Sequence, residues 1–253
     1  MTIELESLSL PGFLEGAPAQ SVRARGPARG GERSTWRRAE EEWERLGPSS
    51  SYARRLRTPL LWLAALPLVP LALFLAVPIA CVNLWIHGSP RRVLFAQLRV
   101  GWRGRIFVLY KFRTMRDRPG DDRARVTRFG RILRNTHLDE LPQLWNVLRG
   151  DMCLIGPRPE MISTERWAAR HVPGFSERLC LRPGLTGYAQ ITQGYTDDGD
   201  ERAYREKLRL NRCYRDELGF GLDCAILVRT ALWMLRGRGW RAQPSSARAY
   251  TAR

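Results

Sequence analysis

Asp139 and Glu140 are adjacent carboxylates in the run His137-Leu138-Asp139-Glu140-Leu141-Pro142-Gln143-Leu144-Trp145-Asn146-Val147-Leu148, whose apolar residues recur at helical spacing. Proline is tolerated only near a helix start, so Pro142 predicts that the helix begins close to Leu138–Glu140, with Asp139 in its first turn. Unpaired N–H groups and the positive end of the helix dipole meet there, which favours an ionised carboxylate and also draws phosphate. A carboxylate beside a phosphate site is a candidate phosphoryl acceptor. The same pattern also fits an ordinary helix cap, by Thr136 with Asp139 or by Asp139 itself, and taken alone the pair favours the cap.

Cations suited to a phosphoryl site lie on both sides of the pair. Lys111 and Lys207 are the only lysines among 42 basic residues. In a chain so biased toward arginine, the compact ammonium kept at Lys111 is informative; Lys207 reads as chance. Alternation over residues 93–116 sets Ile106, Val108, Tyr110 and Phe112 on one face and Phe107, Leu109, Lys111 and Arg113 on the other. With the turn Gly101-Trp102-Arg103-Gly104, this reads as a hairpin or short sheet carrying Lys111. The next helix has Phe129, Ile132 and Leu133 as its buried stripe and Arg128, Arg131 and Arg134 on another, so Arg134 can reach a phosphate held near Asp139. Gly156-Pro157-Arg158-Pro159 is a rigid loop presenting Arg158, and Arg182-Pro183-Gly184-Leu185-Thr186-Gly187 repeats the device with Arg182. Either loop alone is more often a structural turn. Together with Lys111, Arg134 and the acidic pair they favour a polyphosphate site.

The rest of the chain sets where such a site would work. The 253 residues leave room for one sizeable domain plus an appendage. A formal charge of +17 implies an anionic partner, whether nucleic acid, acidic lipid or polyphosphate. Cys81, Cys153, Cys180, Cys213 and Cys224 have no metal-like spacing and no signal peptide precedes them, so a reduced, cytosol-facing protein is expected. Residues 1–58 are poor in large apolar groups and read as a disordered polar and basic extension, with Ala39–Leu46 as a short solvated helix. Leu60–Ile86 carries no charge and is long enough to span a bilayer. Against simple spanning stand Pro67, Pro70 and Pro78 within it and arginines at both ends, Arg54, Arg55 and Arg57 before and Arg91 and Arg92 after. These residues leave a re-entrant and a spanning helix evenly matched. Thr192–Glu201 reads as a polar loop and Ala203–Glu217 as a charged helix. Leu222–Leu235 is an apolar helix that suits a membrane interface, with Trp233, Trp240, Arg236, Arg238 and Arg241, as well as burial.

Tyr110-Lys111-Phe112-Arg113-Thr114-Met115, Leu138 to Leu148, Gly150-Asp151-Met152, Gly156 to Pro159 and Arg182 to Gly187, in that order, resemble the bacterial sugar transferase family, the monotopic polyprenyl-phosphate phosphoglycosyl transferases. The resemblance implies transfer of sugar-1-phosphate from a nucleotide diphosphate-sugar, usually a UDP-sugar, to undecaprenyl phosphate, as the first step of exopolysaccharide, O-antigen, capsule or glycoprotein glycan synthesis. By the same likeness Asp139 is the nucleophile that forms a phosphosugar intermediate, and Glu140 is its partner. The dyad would hold Mg²⁺, and Lys111, Arg134, Arg158 and Arg182 would surround the diphosphate. The implied fold is an α+β cytosolic domain, residues 88–240, on the inner leaflet of the bacterial cytoplasmic membrane. A re-entrant helix at 59–87, broken at Pro78 or else Pro70, would hold it there with interfacial amphipathic helices, anionic lipids would be partners, nucleic acid would not, and 241–253 would be a disordered tail. The alternative is a non-catalytic membrane-anchored binding protein for acidic lipid or nucleic acid. The sequence departs from the family pattern in three places. No Ser-Pro pair breaks Leu60–Ile86, Thr192-Gln193-Gly194-Tyr195-Thr196 replaces an asparagine-glycine-arginine, and Cys153 stands where serine is usual. The multi-span domain that precedes this region in larger relatives is not expected here.

Overall fold

The computed structural model describes residues 41–117, 119, 122–194 and 199–235. The disorder expected of residues 1–40 and 241–253, and the expected interfacial roles of Arg236, Arg238, Trp240 and Arg241, lie outside them.

The uncharged stretch divides into two helices with different fates. Pro67 has no N–H to offer the carbonyl of Leu63, which instead accepts from Leu66 at 3.3 Å, and helix α2 (Arg57–Ala65) stops there. Helix α3 (Leu68–His87) starts at once and ends at Gly88, whose φ of 67° is the left-handed turn that glycine allows. The break therefore falls at Leu66–Pro67 and not at Pro78 or Pro70. Pro70 sits in the first turn of α3, where its missing N–H has no intrahelical acceptor, and the helix runs through Pro78.

Leu61 and Ala65 of α2 are buried in the main core, and Arg57 is buried with them. Residues 57–65 thus belong to the body of the domain, which was expected to begin only at 88. Upstream, α1 (residues 41–46) buries Trp43 in the same core, and a π-helical turn, Tyr52–Leu56, leads into α2. Residues 41–58 are accordingly ordered rather than part of a disordered extension, because one large indole and the Arg57 contacts tie them down.

Helix α3 packs through a stripe: Ala72, Ala76, Ile79, Ala80 and Asn83 face the domain. Asn83 donates to the carbonyls of Val93 (3.2 Å) and Arg113 (3.0 Å). Leu71, Leu73, Phe74, Val77 and Trp85 are exposed, Trp85 at 86%. Among the described residues α3 is the one helix long and apolar enough to cross a membrane.

Strands β1 (Leu94–Val100) and β2 (Ile106–Phe112) form the expected antiparallel hairpin, from Leu94 opposite Phe112 to Val100 opposite Ile106. After β2 come α4 (Arg128–Thr136), a 3-10 turn (Leu138–Glu140) and α5 (Gln143–Leu148). Strand β3 (Cys153–Ile155) pairs in parallel with β5 (Gly184–Thr186), and β4 (Glu160–Met161) joins the far side of β1, setting Glu160 opposite Val100. Helices α6 (Ile162–His171), α7 (Tyr188–Gln193), α8 (Glu201–Asp216) and α9 (Phe220–Leu235) complete a mixed α and β architecture. Thr192 and Gln193, expected in a loop, close α7. In α4 the core side is Gly130 and Leu133, whereas Ile132 is 57% exposed, against the expected stripe.

Candidate active site

The dyad sits on the 3-10 turn between α4 and α5, and three local devices hold it. Thr127 caps α4 by accepting from the N–H of Gly130 at 2.8 Å. Gly130 lets the helix press on the end of β2, since a Cβ there would lie 2.1 Å from the carbonyl oxygen of Thr114. His137 then ends α4 with φ 58°, a left-handed conformation unusual for a residue with a side chain, and turns the chain into Leu138–Glu140. Its ring packs on Trp233 of α9, with centroids 4.5 Å apart. Thr136 caps nothing: it lies inside α4 and its hydroxyl donates to Ile132 and Leu133 carbonyls. The residues at the head of the turn and of α5, His137 and Pro142, make no side-chain cap bond either.

Asn146 aligns the turn with the hairpin. Fully buried on α5, it donates to the carbonyl of Val108 (2.7 Å) and accepts from the N–H of Tyr110 (3.3 Å), filling the edge of β2 that β1 leaves open. That docking brings Lys111, on β2, to Glu140: its Nζ donates to Oε1 at 2.6 Å. Arg158 reaches the same oxygen at 3.2 Å from the Gly156–Pro159 loop. Arg134 donates to the Thr114 hydroxyl at 2.9 Å and is close enough to Asp139 to act on its charge.

Three cations therefore face two carboxylates that are each less than one-tenth exposed. Burial and the neighbouring Glu140 charge push the Asp139 carboxyl up to about 6, against the pull of Lys111, Arg134 and Arg158. Burial acts on Glu140 in the same sense, but Lys111 and Arg158 outweigh it and hold that group well below the usual carboxylate range. Two adjacent acids are thus driven apart, one fixed as an ion among cations and the other left as the more basic carboxylate.

Arg182 does not join them. It donates to the carbonyl of Gly150 at 2.6 Å and stacks over Trp102. The glycines of its loop serve packing, because a Cβ on Gly184 would sit 2.0 Å from the Gly156 nitrogen and one on Gly187 2.1 Å from the Gly156 carbonyl oxygen. The two Gly-Pro loops that resembled paired anion cradles lie backbone against backbone, and one of them presents its arginine to the dyad.

The site opens on a cavity of about 640 Å³. Glu140, Arg158 and His137 line it together with Leu68, Leu71 and Leu75 of α3 and Trp233 and Met234 of α9. Three further charged residues line it, Arg99, Glu160 and Lys207, none of them singled out in the sequence, where Lys207 reads as chance. The available signal for Lys207 was the scarcity that singled out Lys111.

A family model described as bacterial sugar transferase matches residues 57–237. This chain belongs to that family. The match begins at Arg57, the first residue of α2. Among curated bacterial sugar transferases and related proteins, the chain is 39% identical over 187 residues to a UDP-N-acetylgalactosamine-undecaprenyl-phosphate N-acetylgalactosaminephosphotransferase of Aeromonas hydrophila, covering 71% of this chain and 43% of that protein. It is 41% identical over 172 residues to the uncharacterized sugar transferase EpsL of Bacillus subtilis, covering 64% of this chain and 77% of that one. It is 36% identical over 191 residues to the exopolysaccharide production protein PSS of Rhizobium leguminosarum, covering 70% and 92%. The chain thus spans less than half of the Aeromonas protein and most of the other two.

Proposed function

We propose that this bacterial sugar transferase moves sugar-1-phosphate from a UDP-sugar to undecaprenyl phosphate at the cytoplasmic face of a bacterial inner membrane, as an opening step of polysaccharide synthesis. The observation that carries this reading is the dyad in its setting: Asp139, the more basic carboxylate, lies among an excess of cations next to Glu140 and Arg158, which line a cavity also walled by apolar residues of α3 and α9. Relatives named for the same transfer support it.

In the first step an oxygen of Asp139 attacks the phosphorus that carries the sugar. The bond from that phosphorus to the bridging oxygen breaks, and its electron pair leaves with UMP. In the second, a phosphate oxygen of undecaprenyl phosphate attacks the same phosphorus, the bond to Asp139 breaks, and the carboxylate returns as the lipid diphosphosugar forms. Lys111, Arg134 and Arg158 spread the charge that builds on the phosphoryl oxygens, and Glu140 holds Lys111 and Arg158 in position. The donor set fits Mg²⁺, which binds proteins through one or two carboxylates and takes its remaining ligands from phosphate and water. Asp139 and Glu140 would hold it, and among the described residues no third acid, His or Cys joins them. Once bound, the ion would neutralise the donor diphosphate.

For α3 the stripe from Ala72 to Asn83 supports a helix sunk among lipids on one side of the bilayer, since both of its ends keep contact with the same domain. Exposed Phe220, Val228 and Leu232 on α9 fit an interfacial helix beside it, and the net positive charge fits an anionic lipid surface. The test is to incubate the membrane-bound chain with UDP-sugars and measure UMP release with and without undecaprenyl phosphate. Release with at least one sugar is expected, with lipid diphosphosugar forming only when the acceptor is present. No release with any sugar would overturn the reading in favour of a non-catalytic binding protein.

A further inference from the structure

We infer that Glu160 and Lys207, with Asn211 and Gln190, form a second subsite of the cavity that reads the hydroxyl groups of the sugar carried by the donor. The inference rests on the proposed transfer reaction and adds to it the residues that choose the sugar.

Pairing of β4 with β1 fixes Glu160 at the cavity wall. Tyr204, Lys207 and Asn211 follow at intervals of three and four residues along α8, so they share one face, and all three are buried and line the cavity. Lys207 Nζ donates to Glu160 Oε1 at 2.9 Å and lies 4.5 Å from the centre of the Tyr204 ring. Both lysines of the chain are thus paired to a glutamate and mostly buried, and Arg158 acts electrostatically on Glu140 and on Glu160 alike.

The two pairs differ in the hydrogen-bonding groups beside them, and that difference selects the ligand. Around the dyad cations outnumber carboxylates, which suits phosphate. At the second pair the ammonium and carboxylate already satisfy each other, with Arg158 and Arg178 also acting on Glu160, and the side-chain amides of Asn211 and Gln190 stand on the same cavity. A neutral ligand rich in hydroxyls fits instead, because each hydroxyl donates to a carboxylate or amide oxygen and accepts from an ammonium or amide nitrogen. The buried Oε1 of Gln190 accepts no hydrogen bond among the described residues, although the amide nitrogen of the same group donates to the Leu185 carbonyl at 3.3 Å. Tyr204, Met161 and Leu185 supply apolar surface on the same wall for the C–H face of a pyranose. Stability alone does not call for such a pair, since well-packed apolar residues often replace a buried ion pair without loss.

The experiment measures kcat/KM by UMP release for UDP-glucose, UDP-galactose and their two N-acetylamino counterparts, together with the Kd for sugar-free UDP. The proteins are the full chain and its Glu160→Gln, Gln190→Leu and Asn211→Leu variants. Glu160→Gln should narrow the preference between the best donor and its epimer by about tenfold or more, because a hydrogen-bonding site discriminates strongly only while its polar groups are in place. UDP affinity should not change. Gln190→Leu and Asn211→Leu, which leave the buried ion pair intact, should narrow it in the same way and carry the test where Glu160→Gln does not fold. Equal slowing of all four donors, or a matching loss of UDP affinity, would overturn the sugar assignment while leaving the transfer reaction standing. Absence of UMP release from the parent chain with every donor would overturn both.

Discussion

The dyad cluster and the cluster around Arg57 are built from the same kinds of residue at similar burial, yet they differ in what closes them. Arg57 pairs with Asp223 at 3.0 Å and donates to the Tyr214 hydroxyl and the carbonyl of Ile155. The Tyr214 hydroxyl in turn donates a hydrogen bond to the other oxygen of Asp223, and Tyr52 donates to the first. One cation meets one carboxylate there, so the group is balanced and sealed. It ties the π-helical turn and α2 to β3, α8 and α9. Around Asp139 three cations meet two carboxylates, and Glu140 and Arg158 line a cavity. Burial of charge is common to both. Excess of one sign together with an opening separates a place for chemistry from a latch.

The largest effect that tests this contrast is at Asp139. Asp139→Asn keeps size and polarity but removes the carboxylate that can take the phosphoryl group, so UMP release should fall roughly a thousandfold or more with the melting temperature little changed. Near-normal turnover would make the dyad as structural as the Arg57 cluster. Glu140→Gln should also be severely impaired, since Lys111 and Arg158 lose the charge that holds them.

Arg57→Met should show the opposite split. It leaves Asp223 buried without its cation, so a loss of ~3–5 kcal/mol of stability is expected, while turnover per folded molecule stays within a few-fold of the parent. Adding Asp223→Leu should restore part of the stability, as removing both partners of a sealed pair does. A double variant no more stable than Arg57→Met would show that the cluster does more than balance itself.

Lys111→Arg comes next. The ammonium lies 2.6 Å from Glu140 on a strand held by Asn146, and a planar guanidinium cannot take that compact place. A fall of about ten- to a hundredfold in kcat/KM is expected, the scale of one charge-assisted hydrogen bond. Equal activity would mean that only positive charge matters at that position.

These residues also mark how far the sequence could be read. Lys111, Arg134 and Arg158 were legible because scarcity, a helical stripe and two fixed prolines each left a local trace. Arg182 misled because glycines beside an arginine look the same whether they admit an anion or another backbone, and only the pairing of β3 with β5 decides between them. Asn146, Glu160 and Arg57 left no local trace, since their partners lie 36, 47 and 166 residues away. The hairpin and the helices at 128–136, 201–216 and 220–235 followed from periodicity. The division of the apolar stretch did not, because three prolines offered three breaks and the choice depends on which turn loses an acceptor's partner.

The smallest expected effect concerns that division. Pro78 removes one N–H from the interior of α3 at the exposed Phe74 turn, but Ile79 and Asn83 just beyond it hold the helix to Phe112, Leu133 and the carbonyls of Val93 and Arg113. Pro78→Leu should therefore leave the topology unchanged. Pro67→Leu lets α2 and α3 join, yet α2 remains latched through Arg57, so at most a minor fraction of molecules should convert to a spanning form. Adding Arg57→Met should raise that fraction, which connects the latch directly to the membrane segment. The reporter is a cysteine at Ser51, an exposed position before the latch, in a variant lacking the five native cysteines, treated in intact cells with a membrane-impermeant thiol reagent. Protection in the parent and in Pro78→Leu until the cells are opened is the expected outcome. Labelling of the parent from outside would sink the one-sided arrangement, and stronger labelling of Pro78→Leu than of Pro67→Leu would move the break back to Pro78.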